Sequence, residues 1–289
     1  SDGTAFVITN GSGLWKTTDR GERWTQVDGT LNGFGLALSP AFVSDRTVFV
    51  AAFNRVLRSN DAGTTWTELT AGFSDSVRVN GDIRAIAADP QYATNRTLFV
   101  STLGDGLYRS MDDGASWARA NPPTVSVPYA SSIATHGATN RVAVVFLSGI
   151  FVTSDAGATW SVAYTGDDAE DVAYGNDGTL FFGRSTGVAR ASRGLAVAVA
   201  SGWTAGPATS IAIAPTYPAH GSAIAGSSAG PQILLSGYSS TGAAVSVAGI
   251  DATPHRIAAA TITANEAVPA GTSITYELST DDTHAVWEG

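Results

Sequence analysis

No cysteine occurs in the 289 residues. Disulfide staples, thiolate nucleophiles and cysteine metal sites are therefore excluded, while both reducing and oxidising compartments stay open. Lysine is nearly absent too: Lys16 stands alone beside fifteen arginines, a bias that reads as nucleotide composition of the source rather than as a binding device. Basic residues as a whole are in deficit, with 16 Lys and Arg against 25 Asp and Glu and a net charge of −9. That balance argues against a nucleic-acid or anionic-membrane partner and favours a cation or metal ion wherever a ligand is charged. The four histidines, His136, His220, His255 and His284, have no ligand-like spacing and are read neither as metal ligands nor as catalytic bases. No apolar run reaches the roughly 18 residues that would span a bilayer. No leader pattern opens the chain at Ser1, which reads as a removed leader or a piece of a longer protein.

What is present is glycine, 32 residues of it, and an apolar content of 44%, ample for a core with many tight turns. One octapeptide recurs four times: Thr17-Thr18-Asp19-Arg20-Gly21-Glu22-Arg23-Trp24, Ser59-Asn60-Asp61-Ala62-Gly63-Thr64-Thr65-Trp66, Ser110-Met111-Asp112-Asp113-Gly114-Ala115-Ser116-Trp117 and Thr153-Ser154-Asp155-Ala156-Gly157-Ala158-Thr159-Trp160. Each fits Ser/Thr-x-Asp-x-Gly-x-x-Trp and reads as a hairpin turn. Asp caps neighbouring amides, Gly supplies positive φ, and Trp begins the return strand with its ring buried.

The repeating unit is wider than the octapeptide. Leu38 to Val50 aligns with Ala88 to Val100 as the end of an inner strand, a Pro-bearing turn and a β-rich second strand; a third strand such as Gly106 to Arg109 leads into the octapeptide, and a fourth leaves from the Trp. The aspartates are 42, 51 and 43 residues apart, the long interval arising from an insertion near 70–82. A fifth unit follows at about 171–206 with Arg193 in place of the Asp, and a sixth at about 209–250 has no octapeptide. The first unit lacks its innermost strand, for which 255–264 is a candidate donor. Thr280 to Trp287 repeats the octapeptide spacing with His284 in the Gly position.

The octapeptide is the Asp box, or BNR repeat, and the chain resembles the β-propellers that carry it, a family that includes sialidases, xyloglucanases, sortilin-type receptors and photosystem assembly factors. The resemblance implies an all-β, six-bladed propeller of four-stranded blades over residues 1–250. Seven blades are the alternative if 251–289 complete another; otherwise that segment is a short C-terminal β extension that closes the propeller or starts a second domain. In these relatives the box is a structural device, so it identifies a scaffold and not an activity. The Arg-Ile-Pro tripeptide that carries the first substrate arginine of sialidases is missing, and the xyloglucanase arrangement of two facing carboxylates has no pair selected by spacing here.

In propellers resembling this one, ligands bind on the face opposite the boxes, formed by the turns between strands two and three and by the interblade loops. Candidate binding residues there are Phe73, Asp75, Arg78 and Asp82 in the long loop, Arg84 at the start of the next inner strand, and Asp105 in a short turn. Asp167, Asp168 and Asp171 belong to an acidic stretch, 165–171, that reads as a solvated loop or as a site for a calcium ion. No other cofactor is expected. The reading is a non-catalytic, secreted or cell-surface module that binds a protein or glycan on an extracellular surface, alone or within a larger assembly, with a glycoside hydrolase of sialidase or xyloglucanase type as the rival.

Overall fold

The computed structural model describes residues 3–80, 83–125, 127–192, 196–199, 206–213, 221–227, 229–236, 276–279 and 284–287. Asp82, Arg193, His220 and the candidate closing strand 255–264 lie outside the described residues.

The chain builds successive antiparallel meanders, each strand pairing with the next. The first sheet holds β1 (Ala5–Ile8), β2 (Leu14–Thr17) and β3 (Thr25–Asp28). Four four-stranded sheets follow: β4 (Gly33–Leu38), β5 (Val48–Ala52), β6 (Arg55–Ser59) and β7 (Thr67–Leu69); β8 (Ile83–Ala88), β9 (Leu98–Thr102), β10 (Gly106–Ser110) and β11 (Ala118–Arg119); β12 (Ala130–His136), β13 (Arg141–Phe146), β14 (Gly149–Thr153) and β15 (Ser161–Thr165); and β16 (Ala169–Tyr174), β17 (Leu180–Arg184), β18 (Gly187–Ser192) and β19 (Ala196–Val199). A sixth sheet has β20 (Ala208–Ile213), β21 (Gly221–Ser227) and β22 (Gly230–Ser236), and β23 (Tyr276–Ser279) pairs with β24 (His284–Trp287). Among the described residues the first sheet has three strands, with no innermost one, as its sequence suggests. In the tail the return strand begins at His284, three residues ahead of Trp287, so the box-like spacing there is not built as in the four octapeptides.

First strands of neighbouring sheets lie side by side, β4 against β8, β8 against β12, β12 against β16 and β16 against β20. Backbones approach closely along this inner layer: a Cβ on Gly35 would stand 2.8 Å from Ala85 Cα. The second strands are buried on both faces between sheets, which is why β5 is apolar throughout and β9 opens on an apolar run rather than alternating. Phe49, Phe99 and Phe181 occupy one register, each paired with an alanine on strand one and an arginine on strand three. They fill the gaps between successive sheets at equivalent depth.

Among the described residues three short α-helices, α1 (Phe42–Asp45), α2 (Asp75–Asn80) and α3 (Tyr92–Asn95), and a 3-10 turn at Gly137–Thr139 interrupt the strands. No helix among the described residues is long and apolar enough to cross a membrane. α1 and α3 form where simple Pro-bearing turns are expected. Ser39 Oγ and Asp89 Oδ1 accept the amides of Ala41 and Gln91, Phe42 and Tyr92 plunge into the core, and Arg46 and Arg96 end each turn at φ 53°.

The octapeptides share one hydrogen-bond scheme. Asp accepts the amide four residues on: Asp19 from Arg23 (3.0 Å), Asp61 from Thr65 (2.8 Å), Asp112 from Ser116 (2.9 Å) and Asp155 from Thr159 (2.8 Å). The leading hydroxyl does as much. Thr17, Ser59, Ser110 and Thr153 each accept the Gly amide and donate to the Asp. Gly21, Gly63, Gly114 and Gly157 have φ of 84° to 95°, and the residue before each is left-handed as well, the two-residue pattern of a type I′ hairpin turn.

Burial of the tryptophans departs from expectation. Trp117 is 4% exposed, Trp66 and Trp160 are half-buried, and Trp24 is 40% exposed. The last three octapeptides each dock on the sheet before them in the chain, Gly63 beside Phe6, Gly114 beside Leu69 and Gly157 beside Phe99. Trp24 belongs to the first sheet and has no described sheet before it. The docking is fastened by a repeated cation on strand three: Lys16 donates to Ala62 O (3.1 Å), Arg58 to Asp113 O (3.1 Å) and Arg109 to Ala156 O (2.9 Å). Arg58 also pairs with the Asp113 carboxylate. Recurrence of Lys16, Arg58 and Arg109 at one register is thus a packing device between sheets.

Asp112 and Ser116 are exposed, so losing the carboxylate hands the amides to water rather than burying an unpaired donor. Asp112→Ala is expected to cost about 1 kcal/mol, the scale of a lost cap, measured as a shift in denaturant midpoint. The same hydrogen bonds hold all four carboxylates low: hydroxyl donors lead for Asp19, Asp112 and Asp155, with Asp155 at about 2, and the Thr65 amide leads for Asp61, also at about 2. A folded-state pKa below the unfolded one gives stability that is whole above about pH 4 and is lost as pH falls toward 2. The melting temperature is expected to stay flat from pH 7 to 5 and to drop below pH 4.

Candidate functional site

Turns between strands two and three and the loops between sheets share one end of the meanders, opposite the octapeptides. The long loop after β7 is not an open loop. Ser74 caps α2 by accepting the Val77 amide (3.3 Å), and its hydroxyl donates to Asp105. Phe73 and Val77, one helical turn apart, drive into the core between the second and third sheets. Phe73 stacks on Trp117 at 5.2 Å and 16° and meets Tyr108 edge-on at 5.0 Å. Its assignment as a binding residue is therefore corrected: it is 6% exposed and anchors the insertion.

Asp105 is likewise structural. It accepts from Ser74, from Tyr108 Oη (2.9 Å) and from Arg119 Nη2 (2.5 Å), tying α2 to β10 and β11. Burial pushes its carboxyl up, and the Arg119, Ser74 and Tyr108 hydrogen bonds outweigh that and hold it below the usual range. The acidic stretch 165–171 does not converge on a point either. Asp168 accepts from Tyr164 Oη (2.5 Å), Arg184 Nε (2.9 Å) and Ser185 Oγ (3.2 Å), and burial is again outweighed so that it stays low. Asp171 accepts from Ser132 Oγ (2.5 Å) and the Ile211 amide (2.9 Å), a strut across β12, β16 and β20. Asp167 is exposed. Among the described residues no group of three or more His, Asp or Glu is placed to hold a metal; the carboxylates of this stretch serve different partners.

Asp75, Arg78 and Arg84 lie on the end opposite the octapeptides. Asp75 and Arg78 are exposed on α2 and, with Val79, wall an open depression of about 320 Å³ completed by Asn54, Arg55, Glu68 and Thr70. Asn54 Nδ2 donates to Arg78 O (3.0 Å), joining the β5–β6 turn to the helix. Arg55 and Glu68 are 3.8 Å apart and half-exposed, an ion pair worth little. Beside the depression, Phe53 is 51% exposed at the turn apex, Phe34 lies 6.1 Å from it, and the Arg84 guanidinium sits 4.4 Å over the Phe34 ring. Phe34, Phe53, Asn54, Arg55 and Glu68 escape sequence reasoning. The available signal is an apolar residue where a turn apex is normally polar: Phe53, Leu103 and Leu147 hold that position in three successive sheets.

No family model matches the chain. A curated xyloglucanase of Hypocrea jecorina (strain QM6a) is 25% identical over 207 residues, covering 55% of this chain and 24% of that protein. The match thus spans about a quarter of the relative's length. Among solved structures, the GH74 xyloglucanase of Xanthomonas campestris superposes with a TM-score of 0.61 at 18% identity, over 82% of this chain and 42% of that one. YCF48 bound to a D1 peptide superposes with a TM-score of 0.56 at 13% identity, over 82% of this chain and 75% of that one. These likenesses carry the fold, a β-propeller.

Proposed function

We propose that the chain is a six-bladed Asp-box propeller that works outside the cell as a glycan-binding module, through the face opposite the octapeptides and without cleaving its ligand. The observation that carries this reading is the pairing of exposed Phe53 and Phe34 with an adjacent polar depression, the combination of apolar surface and a few polar groups that small-ligand sites use. Similarity to a xyloglucanase supports a carbohydrate as the ligand class. Absence of cleavage is supported by the engagement of other carboxylates on this face: Asp105, Asp168 and Asp171 each hold two or more protein donors. Blade one is completed by a strand from elsewhere, for which 255–264 is the candidate.

The same similarity favours a second reading, a hydrolase of xyloglucanase type. Incubating the full chain with xyloglucan separates the two. Retention of the polymer on affinity electrophoresis without new reducing ends is expected. Steady release of reducing ends makes the protein a hydrolase, and retention of peptides in place of glycans transfers the face to a protein partner.

A further inference from the structure

Resting on the glycan reading above, we infer that the depression between the β5–β6 turn and α2 is a saccharide subsite. Phe53 takes the apolar face of a sugar ring, and Asn54, Arg55, Glu68, Asp75 and Arg78 meet its hydroxyls. The first argument is charge. On a chain with net charge −9, this lining balances two guanidinium groups against two carboxylates. A cation would meet two arginines there and an anion two carboxylates. A neutral ligand rich in hydroxyls, each both donor and acceptor, matches all of them. Arg and carboxylate groups also offer paired, planar hydrogen-bonding atoms suited to adjacent hydroxyls on a ring.

The second argument is how the wall is held. The extra residues that lengthen the octapeptide spacing here to 51 from 42 and 43 are those that make α2. One side of the helix is fixed, since Val77 and the preceding Phe73 are buried in the core and Ser74 is tied to Asp105 and Tyr108. The other presents Asp75, Arg78 and Val79 to the depression. An insertion so anchored holds its polar groups in place before a ligand arrives, which lowers the ordering cost of binding. The loose Arg55–Glu68 pair, at 3.8 Å and half-exposed, gives way to ligand contacts at little cost. The aromatic pair beside the depression is braced by Arg84 over Phe34.

The test is titration calorimetry of the full chain with cellotetraose and a xyloglucan heptasaccharide, on the wild type and on Phe53→Ala, Arg78→Gln and Glu68→Gln. These exposed positions are expected to leave the melting temperature in place, while each variant weakens binding about tenfold or more. Val162→Ala, exposed on outer strand β15, is expected to bind as the wild type does. In spectra of the wild type, oligosaccharide-induced amide shifts are expected to concentrate at 53–55 and 75–79. Undiminished binding by all three variants, with the wild type binding, overturns the subsite and leaves the glycan reading standing. A wild type silent toward both probes and toward xyloglucan overturns the glycan reading, and the subsite falls with it.

Discussion

Trp117→Ala is expected to lower the unfolding free energy by about 3 to 5 kcal/mol, the cost of removing a large buried aromatic. The ring is 4% exposed, stacks on Phe73, and donates its indole N–H to Leu69 O at 3.1 Å, while its amide donates to Ala71 O at 2.9 Å. The indole contact and the amide together sew the third sheet to the end of the second, so the substitution removes the side-chain half of a seam as well as apolar surface. Trp24→Ala, the same change in the same motif, is expected to cost far less, because that ring is 40% exposed. Denaturant midpoints of the two variants make the comparison; equal losses would mean that the motif, and not the sheet it docks on, sets the energetics.

Phe73→Ala is the second large effect, again about 3 to 5 kcal/mol. The residue is buried between Trp117 and Tyr108 and anchors the segment that leads into α2. The two losses are not expected to add, since the rings stack on each other and share one cavity when removed. A double variant that loses clearly less than the sum of the singles, by chemical denaturation, supports this. Full additivity would argue that the stacked geometry contributes nothing beyond area.

Much of the architecture is legible in the sequence because it repeats. Four octapeptides at near-constant spacing reveal the hairpins, and the Phe49, Phe99 and Phe181 register reveals the packing between sheets. The recurrence of Lys16, Arg58 and Arg109 marks a structural device, since a function is seldom copied into every repeat. The site is less legible, and the reason is physical. A loop's composition does not say which of its residues turn inward: Phe73 looks like an exposed loop aromatic, yet its spacing to Val77 and the Ser74 cap convert the loop into an anchored helix. Acidic residues mislead in the same way. Asp168 and Asp171 are three apart in sequence, but one answers Arg184 and the other Ser132 and Ile211, partners remote in the chain and invisible to local spacing. Of the proposed site, Asp75 and Arg78 stand out as charges in an insertion, and Arg84 as a charge at the start of the strand that follows it. Phe53 gives only a faint signal, an apolar residue at a turn apex that Leu103 and Leu147 share in the next two sheets of this kind.

The central claim is a division of labour between two ends of the sheets, octapeptides for stability and the opposite turns for recognition. The most direct test compares Asp112→Ala with Phe53→Ala in binding to xyloglucan oligosaccharide, at a temperature where both are folded, with melting temperatures recorded alongside. Asp112→Ala is expected to melt earlier and bind as tightly as the wild type, and Phe53→Ala to melt unchanged and bind at least about tenfold more weakly. Lost binding in a fully stable Asp112→Ala, with Phe53→Ala unaffected, would contradict the assignment of the faces.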